Sequence, residues 1–437
     1  MCHKGRRGGG PMHSGTLQSA RAPFGIWCGY LLYFVLFALP ISFAIADILL
    51  DLKHYQTYRV RREFTGYCEV ILIVLLLWGA IKSWRVFDWR VPALMVVPLF
   101  ILVGHSLAFP DDDNARALWR WTLIFLFALV FYGAVAGGTI AITARGVVTS
   151  FVAGASLYTV FALVYHFGWG NLSELNSNNL VGFGNVRASN RLLVPALMCA
   201  IVAFALPEAA GRRRWFFLAA ALILAMLSGY TGSRSTIMAL VSISILAALL
   251  SPRFRYLRIA AATVAVIAIG LALASLVPTV IQLLASTENV EPGKVSQSLQ
   301  VFRYSSSGRV MIWETILELA LQRPAFGWGG ADFTADRIRQ FSNAHNIIIQ
   351  VFYEVGLAGL IPMAILAASF LLRSLKIVRA PRPDMYVTAA ALSACAIMAS
   401  SLVAPGLWFQ YSAFLFVVLA VVALVRPGAP GEADPLG

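Results

Sequence analysis

Charged residues make up only 12% of this 437-residue chain, against about 25% in soluble globular proteins. Together with 59% hydrophobic residues and a mean hydropathy of +0.77, that deficit excludes an ordinary soluble domain and points to a polytopic membrane protein. Acidic residues are scarcer than basic ones: 20 Asp and Glu against 34 Lys and Arg leave a formal charge of +14. No DNA- or RNA-binding motif accompanies the excess. It reads as positive-inside bias and attraction to anionic lipid headgroups, not to nucleic acid. Cysteine is also rare. The five residues, at 2, 28, 68, 199 and 395, are odd in number, fall mostly in or near apolar segments and lack metal-ligand spacing. They are expected to be small core residues and not a disulfide framework. No internal repeat is evident. Near the N-terminus, Lys4, Arg6, Arg7 and Arg21 lead into an apolar stretch from Trp27 with no small-residue cleavage site after a short apolar core, which reads as an uncleaved first span.

Long apolar runs are what the chain has in abundance. A spanning helix needs about 20 apolar residues, fewer where the ends snorkel. Twelve runs qualify: roughly 27–47, 67–81, 91–108, 118–138, 147–167, 191–207, 214–231, 234–250, 257–278, 346–372, 386–404 and 409–425. The expected fold is therefore an all-α polytopic membrane protein with about 12 transmembrane helices and one long, partly helical periplasmic loop. The chain divides into a cytoplasmic tail (1–26), nine helices (27–278), the loop (279–345), three helices (346–425) and a cytoplasmic tail (426–437). With the N-terminus inside, more than half of the 34 Lys and Arg fall on the inner side, and six of the remainder share the one long loop. The exception is the expected outer loop holding Lys53, Arg59, Arg61 and Arg62, which suggests an anionic partner.

Two polar stretches lie on the outer side. Residues 168–190 are rich in Asn and Gly. Within 279–344, the segment 309–322 carries Trp313 and Ile316 three residues apart, with Glu314 and Glu318 on another face, as an amphipathic helix requires. Pro324 and Gly327-Trp328-Gly329-Gly330 end it.

Four outer positions carry candidate chemistry. Arg191 opens the sixth span and Arg234 the eighth. Arg309 begins the loop helix after Ser305-Ser306-Ser307-Gly308, and His345 opens the tenth span. Arg can hold a phosphate bidentately and never loses its charge. A neutral imidazole can take a proton from a hydroxyl. Gly and Ser near two of the Arg let the backbone approach an anion, and a helix start adds a favourable field. Each Arg alone would also suit an interfacial anchor. The other histidines, His3, His13, His54, His105 and His166, lack this setting. Asp111-Asp112-Asp113 could bind a divalent cation, but with no second acidic cluster it reads as a turn between spans, and no metal is expected. Glu354, nine residues into the tenth span, needs a partner in the bundle or serves structure.

Three stretches resemble the O-antigen ligase and polymerase superfamily: Gly232-Ser233-Arg234-Ser235; Gly308-Arg309-Val310-Met311-Ile312-Trp313 followed by Arg323-Pro324-Ala325-Phe326-Gly327-Trp328-Gly329; and His345-Asn346, nine residues, Gly356, two residues, Gly359. The resemblance covers about 130 residues, and its last motif is similar to that of lipopolysaccharide O-antigen ligases. It implies a bacterial inner-membrane glycosyltransferase with a periplasmic site. The donor would be undecaprenyl diphosphate-linked O-antigen and the acceptor a hydroxyl of lipid A–core oligosaccharide. Transfer would invert the anomeric centre with neither cofactor nor metal. His345 would act as base, Arg309, Arg234 and Arg191 would hold the diphosphate, and Lys53, Arg59, Arg61 and Arg62 would help dock the acceptor. Membrane lipids are the remaining expected partners. O-antigen polymerase and protein O-oligosaccharyltransferase share the donor. A secondary transporter would instead need ionisable pairs near mid-membrane and broken helices with repeat symmetry.

Overall fold

The computed structural model describes residues 23–50, 54–83, 90–110, 112–168, 180–183, 186–206, 211–232, 234–251, 253–285, 309–330, 344–381, 383–404, 406–407 and 409–425. Thirteen α-helices occur among them, and no strand. They are α1 (Pro23–Leu49), α2 (His54–Lys82), α3 (Arg90–Ala108), α4 (Asp112–Ala136), α5 (Ala144–Leu163), α6 (Asn190–Ala205), α7 (Arg212–Tyr230), α8 (Arg234–Leu250), α9 (Phe254–Ala285), α10 (Arg309–Gln322), α11 (Ile347–Arg379), α12 (Met385–Ser401) and α13 (Gln410–Leu424). Residues 1–22 and 426–437 of the expected tails, Lys53, Asp111 and most of the long loop, including Ser305–Gly308, lie outside the described residues, and α1 takes in 23–26.

Among the described residues, eight helices are long and apolar enough to cross a membrane. The other four expected spans are α6, α8, α12 and α13, which are shorter apolar helices. Sixteen residues of α6 rise only about 24 Å, less than the roughly 30 Å of a hydrocarbon core. Three of the four are also the most enclosed: nearly every residue of α6, α12 and α13 is buried. Helices sheathed by protein on all sides need not match the bilayer. The observed architecture is thus an all-helical membrane bundle, with the count of twelve spans an expectation.

Glycine sets the closest helix contacts. A Cβ on Gly154 of α5 would lie 2.3 Å from Phe37 O of α1, and one on Gly270 of α9 would lie 2.5 Å from Ala225 Cβ of α7. Small residues allow such approach where no water-driven force holds helices together. The cysteines behave as expected: Cys28, Cys199 and Cys395 are buried and Cys68 half-buried, all four free.

Two boundaries differ from expectation. The basic segment before the second span is not a loop, because α2 begins at His54 and carries Arg59, Arg61 and Arg62 on helix. A window set by apolar content misses such a polar extension. The tenth span is longer than expected and broken: Gly356 has φ 61° and ψ −165° inside α11.

Candidate active site

Contacts among helix ends define two faces. On one, Tyr33 accepts from Thr143 N at 2.7 Å and Arg255 Nη2 donates to Ala380 O at 2.7 Å. On the other, α10, the starts of α6, α8, α11 and α13, and the α3–α4 connection converge, and all four candidate residues belong there.

His345 is the most distinctive of them. Its φ of 52° makes it the sole non-glycine residue with positive φ among those described. A non-glycine residue there costs of order 1 kcal/mol or more and persists only when its surroundings over-determine it. Those surroundings are on both sides. The peptide before it is clamped: Trp313 Nε1 of α10 donates to Ala344 O at 2.8 Å, and Ala344 N donates to Gln350 Oε1 at 2.8 Å. The residue after it, Asn346, caps α11, its Oδ1 accepting from Ile348 N at 2.9 Å and Ile349 N at 3.3 Å. The His-Asn pair therefore joins a strained backbone to a helix cap. His345 itself is half-buried.

The clamp is anchored deep in the bundle. Gln350 Nε2 donates to Glu354 Oε1 at 2.8 Å. Arg120 Nη2 of α4 lies 3.0 Å from both Glu354 oxygens, and Trp121 Nε1 donates to Glu354 Oε2 at 2.9 Å. The side chains of Arg120 and Glu354 are 12% and 4% exposed. Glu354 thus has its partner, which lies 234 residues away in sequence.

The break at Gly356 has a matching strap. Residues 353–358 leave the helical ladder, and their groups bond to 324–329: Trp328 N to Tyr353 O (2.8 Å), Gly329 N to Glu354 O (2.9 Å), Leu357 N to Pro324 O (2.8 Å) and Ala358 N to Ala325 O (3.0 Å). Gly327 and Gly329 have φ of 73° and 79°, so the Pro-Gly-rich stretch after α10 does more than stop that helix. His105 Nε2 donates to Phe326 O at 2.9 Å, and Asn114 Oδ1 accepts from Gly330 N at 2.6 Å, tying the strap to the α3–α4 connection. Helix α10 spans the expected residues and buries Ile312, Ile316 and Ala320 against Phe352 and Tyr353 of α11, with Glu314 and Glu318 off that face.

Asn190 Nδ2 donates to Ser235 Oγ at 2.5 Å, which sets the starts of α6 and α8, and so Arg191 and Arg234, side by side. The Arg191 guanidinium lies 3.1 Å from the centroid of the Phe409 ring, at the start of α13. Arg234 is exposed and Arg309 half-buried. Arg309 sits one turn before Trp313 on α10. Helix α8 packs on α11, and Arg379 Nε donates to Leu250 O at 3.2 Å where the two helices end.

Of the four basic residues expected to dock an acceptor, the side chains of Arg61 and Arg62 are described, and their settings differ. Arg61 is buried, 3% exposed, with Nη1 donating to Phe183 O at 3.1 Å; this corrects its expected place on an outer loop. Lys53 and the side chain of Arg59 lie outside the described residues. Arg62 lines an open pocket with Asp112, Arg116 and Trp119. Asp112 pairs with Arg116 at 3.6 Å, as a helix-start residue would. His105 and His166, which the sequence left without a setting, both hold outer segments: His166 Nε2 accepts from Val181 N at 3.2 Å. Sequence reasoning also missed Gln350 and Arg120, and it gave Trp313 a place on the loop helix but not its bond to Ala344. The one signal for Arg120 was a charge inside an apolar run.

No curated relative matches the chain. Residues 216–364 match a family model described as O-antigen ligase, a range that takes in Arg234, the α10 helix, the strap, His345 and the break at Gly356. That match supports membership of the O-antigen ligase/polymerase superfamily.

Proposed function

We propose that the protein is an inverting glycosyltransferase of the bacterial inner membrane that moves O-antigen from undecaprenyl diphosphate to a hydroxyl of lipid A–core oligosaccharide on the periplasmic face. The observation that carries this reading is His345, held at φ 52° by contacts on both sides at the crest of the family domain. Backbone strain clusters where function fixes a side chain.

In this reading His345 takes the proton of the acceptor hydroxyl, whose oxygen attacks the anomeric carbon of the donor sugar. The bond from that carbon to the diphosphate oxygen breaks on the opposite face, and undecaprenyl diphosphate leaves with the electron pair. Charge grows on the leaving group, where Arg309, Arg234 and Arg191 stabilise it. Phe409 stacks on the Arg191 guanidinium and fixes its plane. A diphosphate is already a good leaving group, so neither a covalent intermediate nor a cofactor is required. Arg62 and Arg116, with Trp119 beside them, supply cations and an aromatic face for a phosphorylated core saccharide.

A secondary transporter would also show a broken helix and a buried ion pair, and α11 and Arg120–Glu354 provide both. In a transporter, unwound carbonyls coordinate cargo. Here those of Tyr353 and Glu354 accept from the strap, which favours a rigid site.

The test is reconstitution with lipid-linked O-antigen and three acceptors offered separately. Product on lipid A–core supports the ligase. Longer lipid-linked chains would make the protein a polymerase, and a glycosylated protein acceptor would make it a protein oligosaccharyltransferase.

A further inference from the structure

A second binding feature has its charged mouth at the end of the bundle opposite His345. A cleft of about 1000 Å³ runs between α3 and α4 on one side and α11 and α13 on the other, at the upper end of ligand-pocket volumes. Leu94, Phe125, Leu366 and Val417 are among its walls. At one end it reaches Ile347. At the other it is lined by Arg90 from α3 and by Arg373, Lys376 and Arg379 from α11. Among the described residues no Asp or Glu lines it. The α11 cations recur every three residues and share a helical face. From Gly356 to Arg379 the helix rises about 35 Å, a bilayer's thickness, so the cationic mouth lies at the membrane surface opposite His345.

A greasy cleft with a cationic mouth is complementary to an amphiphile with a phosphate head. We propose that this cleft binds an anionic glycerophospholipid, its phosphate between Arg90 and the Arg373–Lys376–Arg379 row and its acyl chains along α4, α11 and α13. The donor's diphosphate belongs at the far end, by His345, and so does not account for four cations here. Basic pockets between membrane helices hold such headgroups. The lipid would brace α11 from the side opposite the strap.

The test uses the purified full-length protein, with bound lipid counted by native mass spectrometry during titration with phosphatidylglycerol or phosphatidylcholine. The wild type should prefer phosphatidylglycerol by at least about tenfold. Each basic residue at an anionic surface is worth about fivefold in affinity. The combined variant Arg373→Gln, Lys376→Gln, Arg379→Gln should therefore bind phosphatidylglycerol on the order of a hundredfold more weakly. Arg212→Gln, Arg213→Gln, Arg214→Gln, which neutralises cations outside the cleft, should not. Ala367→Trp fills the cleft without touching its charges and should also reduce binding. Equal retention of both lipids by the wild type, or unchanged binding by the first triple variant, would overturn the proposal. Displacement by millimolar inorganic phosphate would make this a free-anion site, and selective displacement by undecaprenyl phosphate would make it a polyprenyl groove; either result also overturns it.

Discussion

Replacing Gly356 by Ala should unseat the strap. At φ 61° and ψ −165° the backbone occupies a region essentially restricted to glycine, and holding another residue there costs about 1–3 kcal/mol. A Cβ would also lie 2.4 Å from both C and O of Ala325 and 2.5 Å from Phe326 N. These are backbone atoms, so no rotamer change relieves the overlap and the strap must retreat. Retreat breaks the bonds from Leu357 N to Pro324 O and from Ala358 N to Ala325 O. A buried group left unpaired costs about 1–3 kcal/mol, so strain and two lost bonds together come to about 3–9 kcal/mol. That is a large part of the roughly 5–15 kcal/mol by which folded proteins are stable. The assay is the unfolding half-life of purified protein at a fixed temperature, with Gly104→Ala alongside. Gly104 is helical and a Cβ there would meet nothing within 4 Å, so alanine should be neutral or stabilising by up to about 1 kcal/mol. If Gly356→Ala unfolds no faster than wild type, the strap is not what holds the broken helix.

The buried pair should behave as a unit. Arg120→Leu strands the Glu354 carboxylate and should cost about 3–5 kcal/mol, most of it recovered when Glu354→Met is added; unfolding half-lives of the single and double variants check this. Transfer assays on Arg309→Lys should show nearly the loss of Arg309→Ala, because lysine keeps the charge but not the fork. Arg234 and Arg191 should follow the same order, and full activity in Arg309→Lys would reduce its role to charge alone. Transfer should persist in excess EDTA; loss that Mg²⁺ restores would bring the acidic residues at 111–113 into the site.

The parts of this fold that the sequence announced are those with a local period. Apolar runs placed the helices, and the spacing of Trp313 and Ile316 against Glu314 and Glu318 placed α10 to the residue. The polar start of α2 was illegible because an apolar window beginning at residue 67 leaves out the polar residues before it, although Arg61 is buried against Phe183. The strap was illegible for a different reason. Pro324 and Gly327 signal the end of a helix, but pairing with 353–358 is a long-range event with no local signature. The same holds for Arg120 and Glu354, whose contact spans 234 residues. His345 was legible as a residue type in a motif. Its left-handed backbone was not, since nothing in His-Asn demands it until Trp313 and Gln350 close on Ala344.

The central claim is that His345 sits in a strained backbone because its imidazole is needed there as a base. Measuring His345→Gly and His345→Ala together, with purified donor and lipid A–core, separates strain from chemistry. The account predicts that both variants lose transfer by about 10²–10⁴-fold, while the glycine variant is the more stable of the two by about 1 kcal/mol. A folded His345→Gly protein that transfers at the wild-type rate would contradict it.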